Sequence, residues 1–380
     1  MSALLTDAPA AARRPASGVA VDRLAVSVYR VPTDAPEADG TLSWTATTLV
    51  LVQAVAGDHQ GLGYSYTDAS AARLVRELLA EQVVGRDALD VPAAWQAMAV
   101  ATRNLGRPGI VASAIAAVDT ALWDLKARLL DVSLVALLGA VRDSIEVYGS
   151  GGFTSYDDAR LREQLGGWAD DGLRRVKMKV GSDPADDPRR VRLARQAIGP
   201  EVALMVDANG AYARKEALAL AEAFAEQRVD WFEEPVSSED LAGLHLVRDR
   251  APAGMAVAAG EYGYDLPEFR RMLEAEAVDV LQADATRCGG FTGFLRVAAL
   301  CAARSLPLSS HCAPALHLHV DCAAPNMVHA EYFHDHVRIE ELLFDGVQRP
   351  RDGVLRPDRS RPGMGLDLRR ADAARFEVAA

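Results

Sequence analysis

Two lysines one residue apart, Lys177 and Lys179 in Val-Lys-Met-Lys-Val (176–180), are the first residues whose type and spacing suggest chemistry. Valines at both ends and a methionine between them read as a buried strand. Successive side chains of a strand point to opposite faces, so the two ammonium groups share one face. Buried charges are costly unless paired or used; an edge strand with a solvated lysine face is the structural alternative. Ionisable residues then recur at the ends of later apolar runs: Asp207, Glu233-Glu234-Pro235, Glu261, Asp284, His311 and Glu331. The intervals run from 20 residues (311 to 331) to 28 (179 to 207, and 233 to 261). These are lengths of one strand–helix unit of a barrel, whose strand ends converge on a single mouth.

Asp207, Glu233 and Glu261 come from consecutive strands and should be neighbours. Packed carboxylates repel unless a hard cation neutralises them, and all-oxygen ligation suits Mg²⁺, with Mn²⁺ as the other option. One such carboxylate alone would be read as a salt-bridge partner; three in succession favour a cation. Strand parity does not choose between Glu233 and Glu234, because adjacent residues face opposite ways. Lys179 and His311 flank this cluster. A lysine beside another cation, Lys177 or Mg²⁺, is expected to have a lowered pKa and to accept a proton. His311 needs a partner for its tautomer and charge, and Asp284 from the preceding strand is placed to be it. A carboxylate substrate bound to Mg²⁺ has an acidified α-proton, because the cation stabilises the enediolate. Glu331, if protonated, could donate a hydrogen bond to the other enolate oxygen; it could equally be a structural carboxylate.

These residues need eight strands to carry them. The pattern predicts strands at 146–150, 175–180, 203–207, 229–233, 256–260, 278–284, 306–310 and 327–331, with helices such as 188–198 and 215–227 between them. That alternation predicts a (β/α)8-type barrel over 144–333. Before it, 21–143 reads as an α+β domain: strands over 21–56, with 47–56 the clearest, turn-rich loops at 32–44 and 61–70, then helical periodicity over 71–138. Residues 334–380 lack the barrel rhythm and are expected to return to the first domain. Residues 1–20, rich in Ala, Pro and Ser, read as a disordered tail with no apolar run for a signal peptide.

Bulk properties narrow the function. At 380 residues two domains with ample core are expected. A formal charge of −12 argues against nucleic acid or an anionic membrane as partner, though a bound cation can reverse the sign locally. No segment reaches the length of a membrane span. The four cysteines form no Cys-x-x-Cys pair, which predicts reduced core residues in a cytoplasmic protein.

Taken together, Ala121-Leu-Trp-Asp-Leu-Lys126, Lys177-Met-Lys179, Asp207-Ala-Asn209, Glu233-Glu-Pro235, Gly260-Glu261, Asp284-Ala-Thr-Arg-Cys-Gly-Gly290 and Ser309-Ser-His311 resemble the enolase superfamily, and within it the mandelate racemase group. A Lys or His base with Mg²⁺ is the established pattern of such sites. The resemblance covers nearly the whole chain. It implies a modified (β/α)7β barrel under an α+β cap built from both chain ends. It implies Mg²⁺ on Asp207, Glu233 and Glu261, Lys179 as one base with Lys177 tuning it and holding the substrate carboxylate, and His311 with Asp284 on the other face. Glu331 matches the electrophilic glutamate, and Asn209 is a candidate substrate contact. Self-association into a homo-oligomer is also implied. The muconate-cycloisomerase and dipeptide-epimerase branch carries a lysine at the sixth strand end; 278–290 has none.

Members with this equipment include acid-sugar dehydratases, racemases and epimerases, and dehydration of an acid sugar to a 2-keto-3-deoxy acid is the expected reaction. Racemisation or epimerisation of a 2-hydroxy acid is the alternative. Substrate choice should lie in the loops 32–44 and 61–70, with Trp44 and Tyr66 as candidate contacts beside Tyr64. Two rivals of other classes are an inactive metal-binding barrel and a transition-metal site built from His311, His317, His319, His334 and His336. Gly149-Ser-Gly-Gly152 lacks the full spacing of a dinucleotide loop and should line the mouth.

Overall fold

The computed structural model describes residues 16–379. Of the expected disordered tail, residues 1–15 lie outside them, but 16–20 are held in place. The Ser17 amide and hydroxyl both donate to the Asp87 carboxylate, at 2.8 and 2.6 Å, and Ala20 bridges Asp87.

The first unit is an antiparallel sheet of β1 (Arg23–Ala38), β2 (Ser43–Ala56) and β3 (His59–Tyr66), joined at its edge by β15 (Glu377–Val378). Short helices α1 (Ser70–Leu74) and α2 (Ala80–Val83) lead to α3 (Val91–Ala101), α4 (Ile110–Leu129) and α5 (Leu134–Leu138). Buried α4 lies directly on β3. A Cβ at Gly61 or Gly63 would come within 2.2 or 2.3 Å of the α4 backbone, so only glycine permits this approach. Two expectations fail here. The loop expected at 32–44 is strand up to a tight turn at 39–42, with a register shift between Pro32 and Glu37. The irregular stretch survives because neighbouring side chains take its polar groups: Arg338 on the Pro32 carbonyl, Arg160 on Asp34, Ser155 on the Pro36 carbonyl. The loop expected at 61–70 is strand as far as Tyr66, so Tyr64 and Tyr66 are not loop-borne.

The second unit is a closed barrel of eight parallel strands: β4 (Ile145–Gly151), β5 (Arg175–Lys179), β6 (Ala203–Asp207), β7 (Val229–Glu233), β8 (Ala256–Ala259), β9 (Val280–Ala283), β10 (Leu308–Ser310) and β11 (Met327–Phe333). β11 pairs back onto β4 in parallel, Ala330 opposite Val147, and closes the ring. Seven helices connect them in order: α6 (Asp158–Asp170), α7 (Asp187–Ile198), α8 (Arg214–Ala225), α9 (Leu241–Arg250), α10 (Leu266–Glu274), α11 (Gly290–Ala303) and α12 (Pro314–Ala323). This is the (β/α)7β barrel beneath an α+β cap. Strand alternation divides its residues. Val176, Met178, Val206 and Phe232 point outward into one large apolar core, whereas Tyr148, Met205, Trp231 and Ala258 form a separate cluster filling the interior.

The C-terminal segment corrects another expectation. It does not go straight back to the cap. It opens with α13 (His334–Leu343) against the barrel, forms a two-stranded ribbon of β12 (Phe344–Asp345) and β14 (Asp367–Leu368), and adds β13 (Val354–Leu355) antiparallel to β4. After the one-turn helix α14 (Arg370–Ala373), only β15 joins the cap sheet. Asp124 of the Ala121–Lys126 motif ties these parts together, accepting from the Leu62 amide (2.8 Å), the Met364 amide (2.5 Å) and Arg128 (2.8 Å).

Candidate active site

Register brings the strand-end residues to one level. Lys179 is opposite Asp207, and Asp207 is opposite Glu233, across adjacent parallel strands. Met205 and Trp231, two residues earlier on β6 and β7, face the same way and seal the barrel beneath them. Glu261, Asp284 and His311 lie just past the ends of β8, β9 and β10, and Glu331 lies within β11. All of them are buried, as are Lys177 and Lys179.

Asp207, Glu233 and Glu261 each offer a carboxylate oxygen within 4.8 Å of the others. Burial, with Asp207 as the next contributor, pushes Glu233 up to about 8 even though Lys177 opposes it. Glu261 Oε2 has no hydrogen-bond donor. Three buried carboxylates short of counter-charge are what a hard divalent cation satisfies, so the donor set fits Mg²⁺. The geometry also settles the parity question. Glu233 faces the cluster, while Glu234, at a positive φ of 37°, is turned aside but still close enough that burial and Glu261 hold its carboxyl well above the usual range.

Lys177 donates to both oxygens of Glu233 (2.6 and 2.7 Å) and lies 2.8 Å from Glu331. Burial alone would lower its pKa; Glu233, Glu331 and Asp207 more than offset it and hold the amine charged. Lys179 donates to Asp207 Oδ2 at 2.5 Å. The expected lowering of its pKa is therefore absent here. Burial works in that direction, but the Asp207 carboxylate outweighs it and raises the amine. A cation that engages Asp207 would relieve that hold.

His311 Nδ1 meets Asp284 Oδ2 at 2.9 Å, and Nε2 lies 3.2 Å from Glu261 and 3.2 Å from Cys312 Sγ. Burial disfavours the imidazolium, but Cys312, Glu261 and Asp284 outweigh it and raise the pKa well above the ordinary value. Burial keeps the Cys312 thiol neutral, so Glu261 and Asp284 are the charges that matter at neutral pH. Asp284 also accepts the Thr286 amide at 2.7 Å; burial would raise it, but His311 holds it far below the usual carboxylate range.

Glu331 corrects the expectation of a protonated donor. Its oxygens accept from the Ser150 hydroxyl (2.6 Å), Lys177 (2.8 Å) and the Cys312 amide (2.8 Å). Lys177 above all outweighs its burial and keeps it a carboxylate. The proton lies on Lys177.

A cavity of about 440 Å³ opens above these groups, with Lys179, Asn209, Glu261 and His311 on the barrel side and Trp44 and Tyr66 on the cap side. Asn209, at φ 44°, has a buried carboxamide oxygen without a donor. Trp44 donates to Glu37 at 2.8 Å and packs edge-on against Phe153. Tyr66 stacks on His336.

The histidine rival fails on geometry. His317 Nε2 accepts the Ala285 amide (2.8 Å) and its Nδ1 meets the Ala313 carbonyl (3.0 Å), so both nitrogens are used by backbone. His319 Nε2 meets the Met364 carbonyl at 3.0 Å. Among the described residues, His317, His319 and His336 belong to no group of three potential ligands. Gly149 and Gly151 pack against Trp168 and Gln164, so they serve helix packing.

Sequence reasoning missed several residues. Arg287 reaches the Glu261 carbonyl (3.0 Å) and lies 3.6 Å from Asp284, bracing both. It sits within the 284–290 motif, which was its only signal. Ser150 and Cys312 lie beside predicted positions, but nothing in their types points to Glu331.

Comparison with known proteins agrees with this geometry. Residues 24–139 match the "Mandelate racemase / muconate lactonizing enzyme, N-terminal domain" and residues 160–373 the "Enolase C-terminal domain-like" family model. A 3,6-anhydro-alpha-L-galactonate cycloisomerase of Streptomyces coelicolor is 32% identical over 362 residues, covering 92% of this chain and 98% of that protein. The crystal structure of a mandelate racemase/muconate lactonizing enzyme-like protein from Rubrobacter xylanophilus superposes with a TM-score of 0.93 at 56% identity, covering 94% of this chain and 100% of that one. L-Talarate dehydratase from Polaromonas sp. JS666, solved with Mg and L-glucarate, gives a TM-score of 0.86 at 30% identity, covering 95% and 98%. With a Mg²⁺-type carboxylate cluster, a base at either end of it and both domains matched, this chain is a member of the mandelate racemase group of the enolase superfamily.

Proposed function

We propose that this protein is a Mg²⁺-dependent acid-sugar dehydratase that removes the proton α to a carboxylate and expels the β-hydroxyl as water. The observation that carries this reading is the placement of Lys179 at the Asp207 end and His311 at the Glu261 end of one carboxylate cluster, under a single cavity. Asp207, Glu233 and Glu261 would hold the ion. When bound, Mg²⁺ supplies Lewis-acid stabilisation of the charge that develops on the substrate carboxylate.

The chain's own groups do the rest. Lys179 takes the α-proton once Asp207 is engaged by the ion. His311, kept charged by Asp284 and Glu261, gives its proton to the departing hydroxyl, so water leaves and the enol ketonises to a 2-keto-3-deoxy acid. Lys177, fixed between Glu233 and Glu331, orients both carboxylates and presents positive charge below the substrate carboxylate. Asn209 offers a free carboxamide oxygen to a substrate hydroxyl.

A second reading is favoured by the Streptomyces coelicolor relative, named as a cycloisomerase. There the same α-proton removal would expel a ring oxygen, and the product would keep the mass of the substrate. Racemisation or epimerisation, with a proton returned to the opposite face, also conserves mass.

Proton NMR of the Mg²⁺-loaded protein with a panel of acid sugars in D₂O separates these. Loss of the α-proton with a 2-keto-3-deoxy product supports dehydration. A deuterated isomer moves the assignment to racemisation or cycloisomerisation. No exchange with any acid, from folded protein whose melting temperature rises with Mg²⁺, returns the inactive-barrel reading.

A further inference from the structure

The cap side of the cavity is lined by Asp39, Trp44, Thr48, Tyr66, Thr67 and Asp68 among others, and none of its lining residues is a lysine or arginine. Asp39 is held by the Thr41 and Leu42 amides (2.6 and 2.7 Å), and Asp68 by the Ser70 amide (2.9 Å), which keeps Asp68 below the usual carboxylate range. The far wall is therefore uncharged or negative.

The cations of the cavity all belong to the barrel floor and each already has a partner: Lys179 on Asp207, His311 on Asp284, Arg287 on Glu261 and Asp284. His336 is not a further cation. Its Nδ1 accepts the Ala313 amide at 3.3 Å, and its ring lies flat on Tyr66.

We infer that the substrate carries one carboxylate and an uncharged, hydroxylated far end: an aldonate-type monoacid rather than an aldarate diacid. This rests on the acid-sugar reading. A second carboxylate at the far end would lose hydration without gaining a cation, beside two carboxylates of its own sign. A terminal CH₂OH would meet the Thr48 and Thr67 hydroxyls and the faces of Trp44 and Tyr66 at no such cost. Selectivity then comes from what the wall refuses as much as from what it binds.

The test uses pairs that differ only at the terminal carbon, D-gluconate with D-glucarate and D-galactonate with D-galactarate. Dissociation constants are measured calorimetrically on the Mg²⁺-loaded Lys179→Met variant, and exchange in D₂O on the unmodified protein. The monoacid of each pair should bind more tightly by about tenfold or more, and Thr67→Lys should move the ratio toward the diacid by about the same factor. Equal or tighter diacid binding overturns the inference, as does a ratio that Thr67→Lys leaves unmoved. Dehydration of a diacid would overturn it while upholding the dehydratase reading. A monoacid preference without α-proton exchange would uphold the ligand class and remove the dehydratase reading.

Discussion

Asp207 is claimed twice, as partner of Lys179 at 2.5 Å and as one of three clustered ligand oxygens. Replacing Lys179 with methionine removes the competitor and the base together. Lys179→Met should slow α-proton exchange by about 10²- to 10⁴-fold, the usual worth of a positioned general base, while Mg²⁺ affinity is unchanged or higher. Exchange in D₂O and Mg²⁺ titration check the two halves; weaker metal binding would make Lys179 a structural residue. His317 gives the opposite signature. His317→Phe leaves the buried Ala285 amide without its acceptor and should cost about 1–3 kcal/mol of stability in denaturant unfolding, with Mg²⁺ affinity intact. Residues such as Lys177, Lys179 and the three carboxylates were legible because ionisable types at strand-end spacing are rare without a use. The charge states of Lys179 and Glu331 were not, because each depends on a carboxylate or amine supplied by another strand.

The barrel strands could be placed from sequence to within about two residues at most ends, because alternation of period two persists when both faces are buried. The cap hairpin could not. Pro32, Asp34 and Pro36 look like loop residues, and their strand geometry is imposed by Arg338, Arg160 and Ser155 from the barrel side. The hairpin turn touches the barrel rim at Gly40, where a Cβ would come within 2.5 Å of the Ala208 carbonyl and 2.7 Å of the Val180 carbonyl. Those two carbonyls neighbour Asp207, Asn209 and Lys179. Gly40→Ala should therefore lift the hairpin from the mouth and raise KM several-fold, leaving Mg²⁺ binding unaltered; steady-state kinetics beside Mg²⁺ titration distinguishes this from general destabilisation. An unchanged KM would place substrate binding away from the hairpin.

Across the molecule, burial sets opposing pH dependences. Burial pushes His319 down to about 4, so the folded chain leaves it neutral while the unfolded chain, at about 6.5, binds the proton. The unfolded state then holds more protons between about pH 6.5 and 4, and stability is lost as pH falls through that window, by up to about 1.4 kcal/mol per unit. Glu340 goes the other way. Burial pushes it up to about 8, its Oε1 accepting from Tyr64 and its Oε2 from the Ala315 amide, so the folded state keeps a proton that the unfolded state releases. That stability is full below about pH 4.5 and lost as pH rises to 8. In melting curves, His319→Leu should flatten the acid limb and Glu340→Gln the alkaline one; parallel shifts at all pH values would remove both groups as the source. The sequence by itself determined the barrel, the order of its functional residues and the metal-type cluster, because period, spacing and residue type are local properties of the chain. Only the tertiary structure decided which glutamate faces the cluster, where the protons rest on Lys177, Glu331 and Lys179, and that the cap wall carries no cation. Those follow from distances between segments far apart in the chain, and electrostatic energies in a buried site are set by such distances.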